Sequence, residues 1–205
     1  MNSIIVVTGL PRSGSTLMMR MLEAGGVEPY YDKEKPMEFR EGGVNYLNHN
    51  RMLRETDKIK HLRHGDGSWL EECRGKVVKI LTPTQIQPPR GYPYKFIYCD
   101  RKTKNIAKSQ EKYAIISRKL NAPDPEMLQP AINLARKEGF KLLRSYEDSS
   151  MMIVKFEEVL KKPRVIASRV VQFLNMDLDL DKMASVVVKR NAGCLTFMLE
   201  EQIYT

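Results

Sequence analysis

Little in this chain invites metal, disulfide or membrane chemistry. Its 205 residues include three cysteines, Cys73, Cys99 and Cys194. Their odd number and lack of ligand spacing predict buried free thiols. The histidines His49, His61 and His64 lie close in sequence, but no cysteines or paired carboxylates stand at ligand spacing around them, so no metal is expected. The longest early apolar stretch, built on Ile4-Ile5-Val6-Val7, is too short for a signal-peptide core or a membrane span, and a cytoplasmic protein is expected. No internal repeat, low-complexity tract or linker divides the sequence, which predicts one domain over residues 1–205. Acidic residues are also scarce, 25 against 34 basic, giving a formal net charge of +9. That excess favours anionic partners such as nucleotides, sulfated or phosphorylated substrates, or nucleic acid, without choosing among them. No nucleic-acid-binding module is legible. The 12 methionines read as fillers of core gaps.

What is present is concentrated near the start. The apolar run leads directly into Gly9-Leu10-Pro11-Arg12-Ser13-Gly14-Ser15-Thr16, then Leu17-Met18-Met19-Arg20-Met21-Leu22, and stops at Gly25-Gly26. The order reads as a buried strand, a glycine turn, and a helix beginning near Gly14. Such a turn aims backbone N–H groups and the positive helix end at one spot, where a phosphate or sulfate is held. The spacing is that of G-x-x-x-x-G-K-[ST], but Ser15 stands where the nucleotide-binding lysine belongs and the cation has moved into the loop as Arg12. This speaks against an ordinary ATPase or kinase and for another phosphoanion donor.

Strands are predicted at residues 3–8, 76–81, 94–99 and 151–155, with a weaker one from Val27 to Tyr31. Helices are predicted at 14–24, about 41–57, 103–120, 125–146, 163–175 and 179–189; Pro125 and Pro163 suit first helical turns. Short β-branched strands separated by helix-length segments imply an α/β fold, a doubly wound parallel sheet of four to five strands with flanking helices, P-loop NTPase-like. Its ligand crevice lies at the carboxyl ends of the strands. Arg101 falls at such an end, and Ser109 follows eight residues later in the next helix. An arginine fork and a serine hydroxyl so placed suit a second phosphate, and a solvated helix start is the plainer alternative.

With these residues in hand, the chain resembles the sulfotransferases that use 3′-phosphoadenosine 5′-phosphosulfate (PAPS), and in particular small bacterial-type or protein-tyrosine-type branches. The family's Pro-[Lys/Arg]-Ser-Gly-[Thr/Ser]-Thr loop matches Pro11-Arg12-Ser13-Gly14-Ser15-Thr16. Its Arg-x7-Ser pair matches Arg101 and Ser109, with Lys104 in register, although Lys102-Thr103 and Asn105 depart from the usual residues. Its Y-E-D-L…P…FL stretch is similar to Phe156-Glu157-Glu158-Val159-Leu160, Pro163 and Phe173-Leu174, with Phe156 in the tyrosine position. The strand ending in Lys79 looks like the family's Lys-Thr-His strand. The matches run in order from about residue 3 to 185.

The resemblance implies sulfuryl transfer from PAPS to a hydroxyl or amine acceptor, with PAP released and no metal required. The loop N–H groups of residues 12–16 and the hydroxyls of Ser15 and Thr16 would hold the 5′-phosphosulfate. Arg12 would neutralise charge on the leaving phosphate, and Arg101 and Ser109 would hold the 3′-phosphate. Lys79 would touch the transferring group; a lysine snorkelling from a strand end is the plainer alternative. Where many cytosolic members place a histidine base, this chain has Leu81. Other branches use a glutamate about twenty residues beyond the loop, which makes Glu34 and Glu38 the candidate bases. Leu17 stands where cytosolic members have a tryptophan near the adenine. Arg190 in Lys189-Arg190-Asn191-Ala192-Gly193 is a candidate 3′-phosphate contact, with a basic helix end as the alternative.

Residues 49–64 hold five Lys/Arg and three His against two acids. They read either as an acceptor-side surface for an anionic glycan or phosphorylated molecule, or as a solvated helix face followed by a loop. Trp69 beyond them is expected in the core. Two other function classes stay open at this point: a P-loop small-molecule kinase using ATP and Mg²⁺, and a non-catalytic protein binding PAP-like nucleotides.

Overall fold

The structure is a computed structural model that describes residues 3–32, 39–40, 43–44, 54–116 and 124–188. Strand β1 (Ile4–Gly9) is buried on both faces along its whole length, as a central parallel strand must be. It pairs in parallel with β5 (Val77–Lys79) on one side and β6 (Tyr94–Asp100) on the other. β2 (Pro29–Tyr30) and β7 (Ser150–Lys155) extend the edges, giving the five-stranded parallel order β2-β5-β1-β6-β7. All five predicted strands are present.

The sheet is covered on both faces because successive side chains along each strand point opposite ways. Ile5, Val7, Ile97 and Val154 pack against α1 (Ser15–Ala24), α5 (Pro163–Leu174) and α6 (Leu180–Ser185). Ile4, Val6, Val78, Phe96 and Tyr98 pack against Trp69, Leu70 and the end of α3 (Pro125–Arg144), where Leu143 is buried. Each such Val, Ile or Phe buried contributes about 1.5–3 kcal/mol. Trp69 is therefore a core residue, 5% exposed and stacked on Tyr30.

Local chemistry sets the helix ends. Asp124 accepts a hydrogen bond from the Glu126 N–H at 2.8 Å and Pro125 opens α3. α5 stops at Asn175 in the left-handed conformation (φ 52°), while the Lys95 ammonium caps the Phe173 and Leu174 carbonyls at 3.3 and 2.6 Å. The expected helix at 103–120 is described as α2 (Thr103–Ile116), and that at 179–189 shortens to α6. A six-residue helix, α4 (Phe156–Lys161), follows β7 with no intervening loop and was not anticipated.

The helix expected over 41–57 is corrected. β3 (Phe39–Arg40) and β4 (Gly43–Val44) pair antiparallel, and the remaining residues from 45 to 53 lie outside the described set. Arg54 has φ 53°, which no right-handed helix admits, and Thr56 starts a separate 3₁₀ helix, Asp57–His64, by accepting from the Lys58 N–H. A second 3₁₀ helix spans Ser68–Cys73.

Candidate functional site

Parallel register brings the site together. Gly9 is paired with Cys99, so the turn leaving β1 and Arg101, two residues past that partner, emerge side by side. Gly9 (φ 133°) admits no side chain: a Cβ there would lie 2.4 Å from the Cys99 carbonyl oxygen. Gly14 (φ 102°) is also left-handed, and a Cβ there would meet a side chain, the Phe156 ring, at 2.4 Å. Between them Arg12 is itself left-handed, φ 74°. Leu10 anchors the turn by burying itself with Ile106, Ala107 and Ile132 of α2 and α3. After β5, the Thr82 N–H bonds to the Gly9 carbonyl at 2.9 Å and ties the neighbouring crossover to the same turn.

The turn delivers α1 with Gly14 at its N-cap and no side-chain cap. The positive helix end is therefore left to something other than a cap. Ser13 is 1% exposed; its N–H is used by the Leu10 carbonyl at 3.1 Å, and its buried hydroxyl has no hydrogen-bond partner among the described residues. Ser15 is buried and Pro11 exposed, its carbonyl accepting from Gln110 at 3.3 Å.

Arg12, Arg101 and Ser109, far apart in sequence, meet. Arg12 Nε donates to Ser109 Oγ at 3.1 Å, and the guanidinium lies 5.4 Å from the Tyr113 ring centroid. Arg101 Nη1 donates to the Arg12 carbonyl at 3.2 Å, and its guanidinium stands 4.7 Å over the Phe156 ring. Its Nε is buried with no hydrogen-bond partner among the described residues. Burial lowers the Arg101 pKa from its ordinary value, an effect opposed by the charge of Glu157. Thus Arg12, which the resemblance assigns to the leaving phosphate, is joined here to the hydroxyl assigned to the 3′-phosphate.

Supporting residues fix this cluster. Arg136 of α3 donates to the Arg101 carbonyl at 2.7 Å and to Thr103 Oγ1 at 2.9 Å, and pairs with Asp100 at 2.8 Å. Glu157 accepts from the Lys102 N–H and from Asn105 Nδ2, both at 3.1 Å. Burial alone would raise the Glu157 pKa, but these hydrogen bonds, its own backbone N–H and the Arg101 charge hold it below the usual carboxylate value. Sequence reading missed Arg136, Gln110 and Tyr113. For Tyr113 a signal existed, since it stands four residues after Ser109 and shares its helix face.

Lys79 does not snorkel. Its side chain is 1% exposed, and its ammonium donates to Thr16 Oγ1 at 3.2 Å while pairing with Glu55 Oε1 at 2.8 Å. Desolvation lowers its pKa, opposed by the charge and hydrogen bond of Glu55 and reinforced by the nearby charge of Arg12. Glu55 was read only as part of a basic stretch. Within that stretch three of the described cations have partners: Arg54 bonds Glu23 at 3.0 Å, Lys60 bonds Asp57 at 2.8 Å, and Lys58 reaches Tyr30 Oη at 2.6 Å. Glu34, Glu38 and Arg190 lie outside the described residues, as do His49 and Cys194. Cys73 and Cys99 are buried free thiols, each pushed up to about 12 chiefly by desolvation.

Two clefts, of about 630 and 420 Å³, contain none of these residues; one flanks β7 beside Arg169 and Phe173, the other lies between Arg90 and Tyr146. Among the described residues no helix is long and apolar enough to cross a membrane.

No protein-family model matches the chain, and no curated protein matches it by sequence. Solved structures do. The sulfotransferase domain of the Synechococcus PCC 7002 olefin synthase is similar with a TM-score of 0.55 and 17% identity, over 97% of this chain and 82% of that one. A sulfotransferase of Mycobacterium tuberculosis H37Rv gives 0.54 and 13%, over 98% and 76%. A mouse sulfotransferase complexed with PAP gives 0.50 and 14%, over 91% of this chain but 63% of that one. The chain thus spans less than two thirds of that mouse enzyme's length. At these identities the likeness establishes the fold: this is an α/β chain with the fold of those sulfotransferases.

Proposed function

We propose that this chain, folded as those sulfotransferases are, binds PAPS and transfers its sulfuryl group to a hydroxyl or amine acceptor, releasing PAP. The observation that carries the reading is the buried Arg101 Nε, which has no acceptor among the described residues and lies beside an uncapped helix start and the Arg12–Ser109 pair. Three separate chain segments converge there with donors and positive charge. A nucleotide with phosphates at both the 3′ and 5′ positions satisfies such a double site. The mouse neighbour is solved with PAP, and retinol dehydratase, similar with a TM-score of 0.52, carries PAP as inactive cofactor. Ser15 in the lysine position of the loop weighs against a kinase.

In this reading Thr16, Ser15 and the helix start hold the 5′-phosphate, while Arg101 and Ser109 take the 3′-phosphate. Arg12 and Lys79 supply positive field where the bridging oxygen gains charge. The acceptor atom forms a new bond to sulfur in line as the bond from sulfur to the bridging oxygen breaks, and the electron pair leaves with PAP. The acceptor's proton passes to a carboxylate, for which Glu34 and Glu38 are the candidates. Positioning and preorganised charge do most of the work, as in phosphoryl transfer.

Calorimetric titration with PAP, ADP and ATP, with and without Mg²⁺, tests the reading. Metal-independent binding that requires the 3′-phosphate is expected. Mg²⁺-dependent ATP binding with indifference to PAP would replace it with the kinase reading. Once an acceptor is found, Glu34→Gln is expected to lower turnover about 100-fold or more at unchanged PAP affinity; unchanged turnover removes Glu34 as the base.

A further inference from the structure

Glu55 is held in place from both sides. On one side Arg54, at φ 53°, reaches back to Glu23 of α1 at 3.0 Å and lies 5.5 Å over the Tyr31 ring. On the other, Thr56 is 4% exposed and donates to Asp32 Oδ1 at 2.9 Å, while the Asp57 N–H donates to Asp32 Oδ2 at 3.0 Å. The Glu55 carbonyl itself accepts from the Asp32 N–H at 3.1 Å. A left-handed non-glycine residue flanked by such ties is a segment whose conformation is imposed by its surroundings. What it presents is the carboxylate that meets Lys79 at 2.8 Å, half-exposed at the crevice and one ammonium away from Thr16.

We propose that Glu55 is a positioning residue of the anion site: its carboxylate holds the buried Lys79 ammonium charged and aimed at Thr16 before any donor arrives. The inference deepens the sulfotransferase reading and rests on it for the identity of the anion. The physical need is plain. An ammonium that is 1% exposed has lost its hydration, and isolated burial favours the neutral amine. Among the described residues, the groups facing it include Glu55 from the segment before the 3₁₀ helix, Arg12 from the turn and Cys99 from β6, with Thr16 from α1 as a neutral acceptor. Arg12 disfavours the ammonium, and the Cys99 thiol is pushed up to about 12 and stays neutral at physiological pH. Of these groups, Glu55 opposes the desolvation most strongly, through both its charge and its hydrogen bond. An incoming 5′-phosphosulfate can then take over Lys79 without the site having to recruit a proton, and Glu55, whose side chain is 30% exposed, is left partly solvated.

The experiment compares full-length wild type, Glu55→Gln and Glu55→Asp. In the unliganded proteins, the Lys79 side-chain Cε signal, assigned through Lys79→Met, is followed by NMR across alkaline pH. Lys79 is expected to titrate at lower pH in E55Q than in wild type, and E55D is expected to return it towards wild type. PAP titrations at pH 7 and pH 9 are expected to show an affinity loss of about tenfold or more in E55Q across that interval, and a smaller loss in wild type. Thr56→Val, which keeps the carboxylate but removes a tie to Asp32, gives the same displacement in smaller size and serves if E55Q does not fold. An unchanged Lys79 titration in E55Q, or in T56V where E55Q does not fold, overturns the inference whatever PAP does. A displaced titration in E55Q, with wild type binding no PAP at either pH, overturns the sulfotransferase reading and leaves the Glu55–Lys79 coupling standing.

Discussion

Arg101→Ala separates the two phosphate subsites. In the structure the guanidinium gives Nη1 to the Arg12 carbonyl at 3.2 Å, rests 4.7 Å over Phe156, and keeps a buried Nε with no hydrogen-bond partner among the described residues. A hydrogen bond to a charged group contributes about 1.5–3 kcal/mol, so loss of one such contact to a 3′-phosphate weakens PAP about 10- to 100-fold. A 5′-monophosphate lacking the 3′-group does not use that contact, and its affinity is expected to change less than about threefold. Arg101→Lys keeps the charge but not the fork and falls between the two. The fold itself is moderately affected: the variant loses a cation–π contact of about 1 kcal/mol and the charged hydrogen bond to the Arg12 carbonyl, about 1.5–3 kcal/mol, and sheds the cost of a half-buried cation. Paired titrations of PAP and AMP into each variant, with melting temperatures alongside, make the measurement. Equal losses for both nucleotides would show that Arg101 acts by shaping the loop through the Arg12 carbonyl, and the 3′-phosphate assignment would fall.

The remaining predictions concern the loop and the buried lysine. Gly9→Ala places a Cβ against backbone, the Cys99 carbonyl oxygen, and is expected to destabilise the fold by about 3 kcal/mol or more and to abolish PAP binding; a near-wild-type melting temperature would contradict the turn geometry. Gly14→Ala strikes a side chain instead, the Phe156 ring, so Phe156→Leu is expected to recover about 1 kcal/mol of its loss in a double-mutant cycle read by urea unfolding; zero coupling would refute the contact. Lys79→Met made together with Glu55→Gln, which removes both members of the pair, is expected to stabilise the unliganded fold at pH 7 by about 1–2 kcal/mol while weakening PAP, because neither replacement has a charge to desolvate. The sign with pH follows from the lowered Lys79 pKa: below it both folded and unfolded wild type hold the proton and the burial cost is carried in full. Between it and the ordinary lysine value of 10.5, the unfolded chain keeps a proton the folded chain has released, so wild-type stability rises with pH and the advantage of the double variant narrows. A gap that widens with rising pH would refute the assignment.

The sheet was legible because β1 and the middle of β6 are buried on both faces, which leaves continuous apolar runs that few other elements produce. The loop was legible because its glycines are demanded by backbone geometry at fixed spacing. Arg101 and Ser109 were legible through one helix and one strand end. What escaped was everything joined only by folding. Glu55 stands 24 residues before Lys79, inside a stretch whose net charge conceals it, and nothing local marks it as the partner of a strand lysine. Arg136 reaches Arg101 from a different helix. The expected helix over 41–57 failed for a related reason: Arg54 is held left-handed by Glu23 and Tyr31, contacts that no periodicity encodes.

The groups that make this site are those the fold would be more stable without. Arg12 occupies a left-handed conformation that costs roughly 1–2 kcal/mol for a residue with a Cβ. Lys79 and Arg101 are cations whose burial opposes their charged forms. Ser13 Oγ is buried with no hydrogen-bond partner among the described residues. These costs gather at the strand ends around one glycine turn, although Trp69 Nε1 and Tyr98 Oη are also buried with no hydrogen-bond partner among the described residues, and Arg54, Asp148 and Asn175 are left-handed elsewhere. An arrangement selected for stability alone would place methionine or leucine at position 79 and leave the strand end dry. Concentrated unfavourable charge at a helix start is instead what an anion site requires, because each cation held out of water interacts more strongly with a ligand that displaces the remaining water. In the proposed function, the same low dielectric that lowers the Lys79 pKa would strengthen its hold on a phosphosulfate. The Glu55 carboxylate reconciles the two states, since it supports the charge until a ligand takes it over.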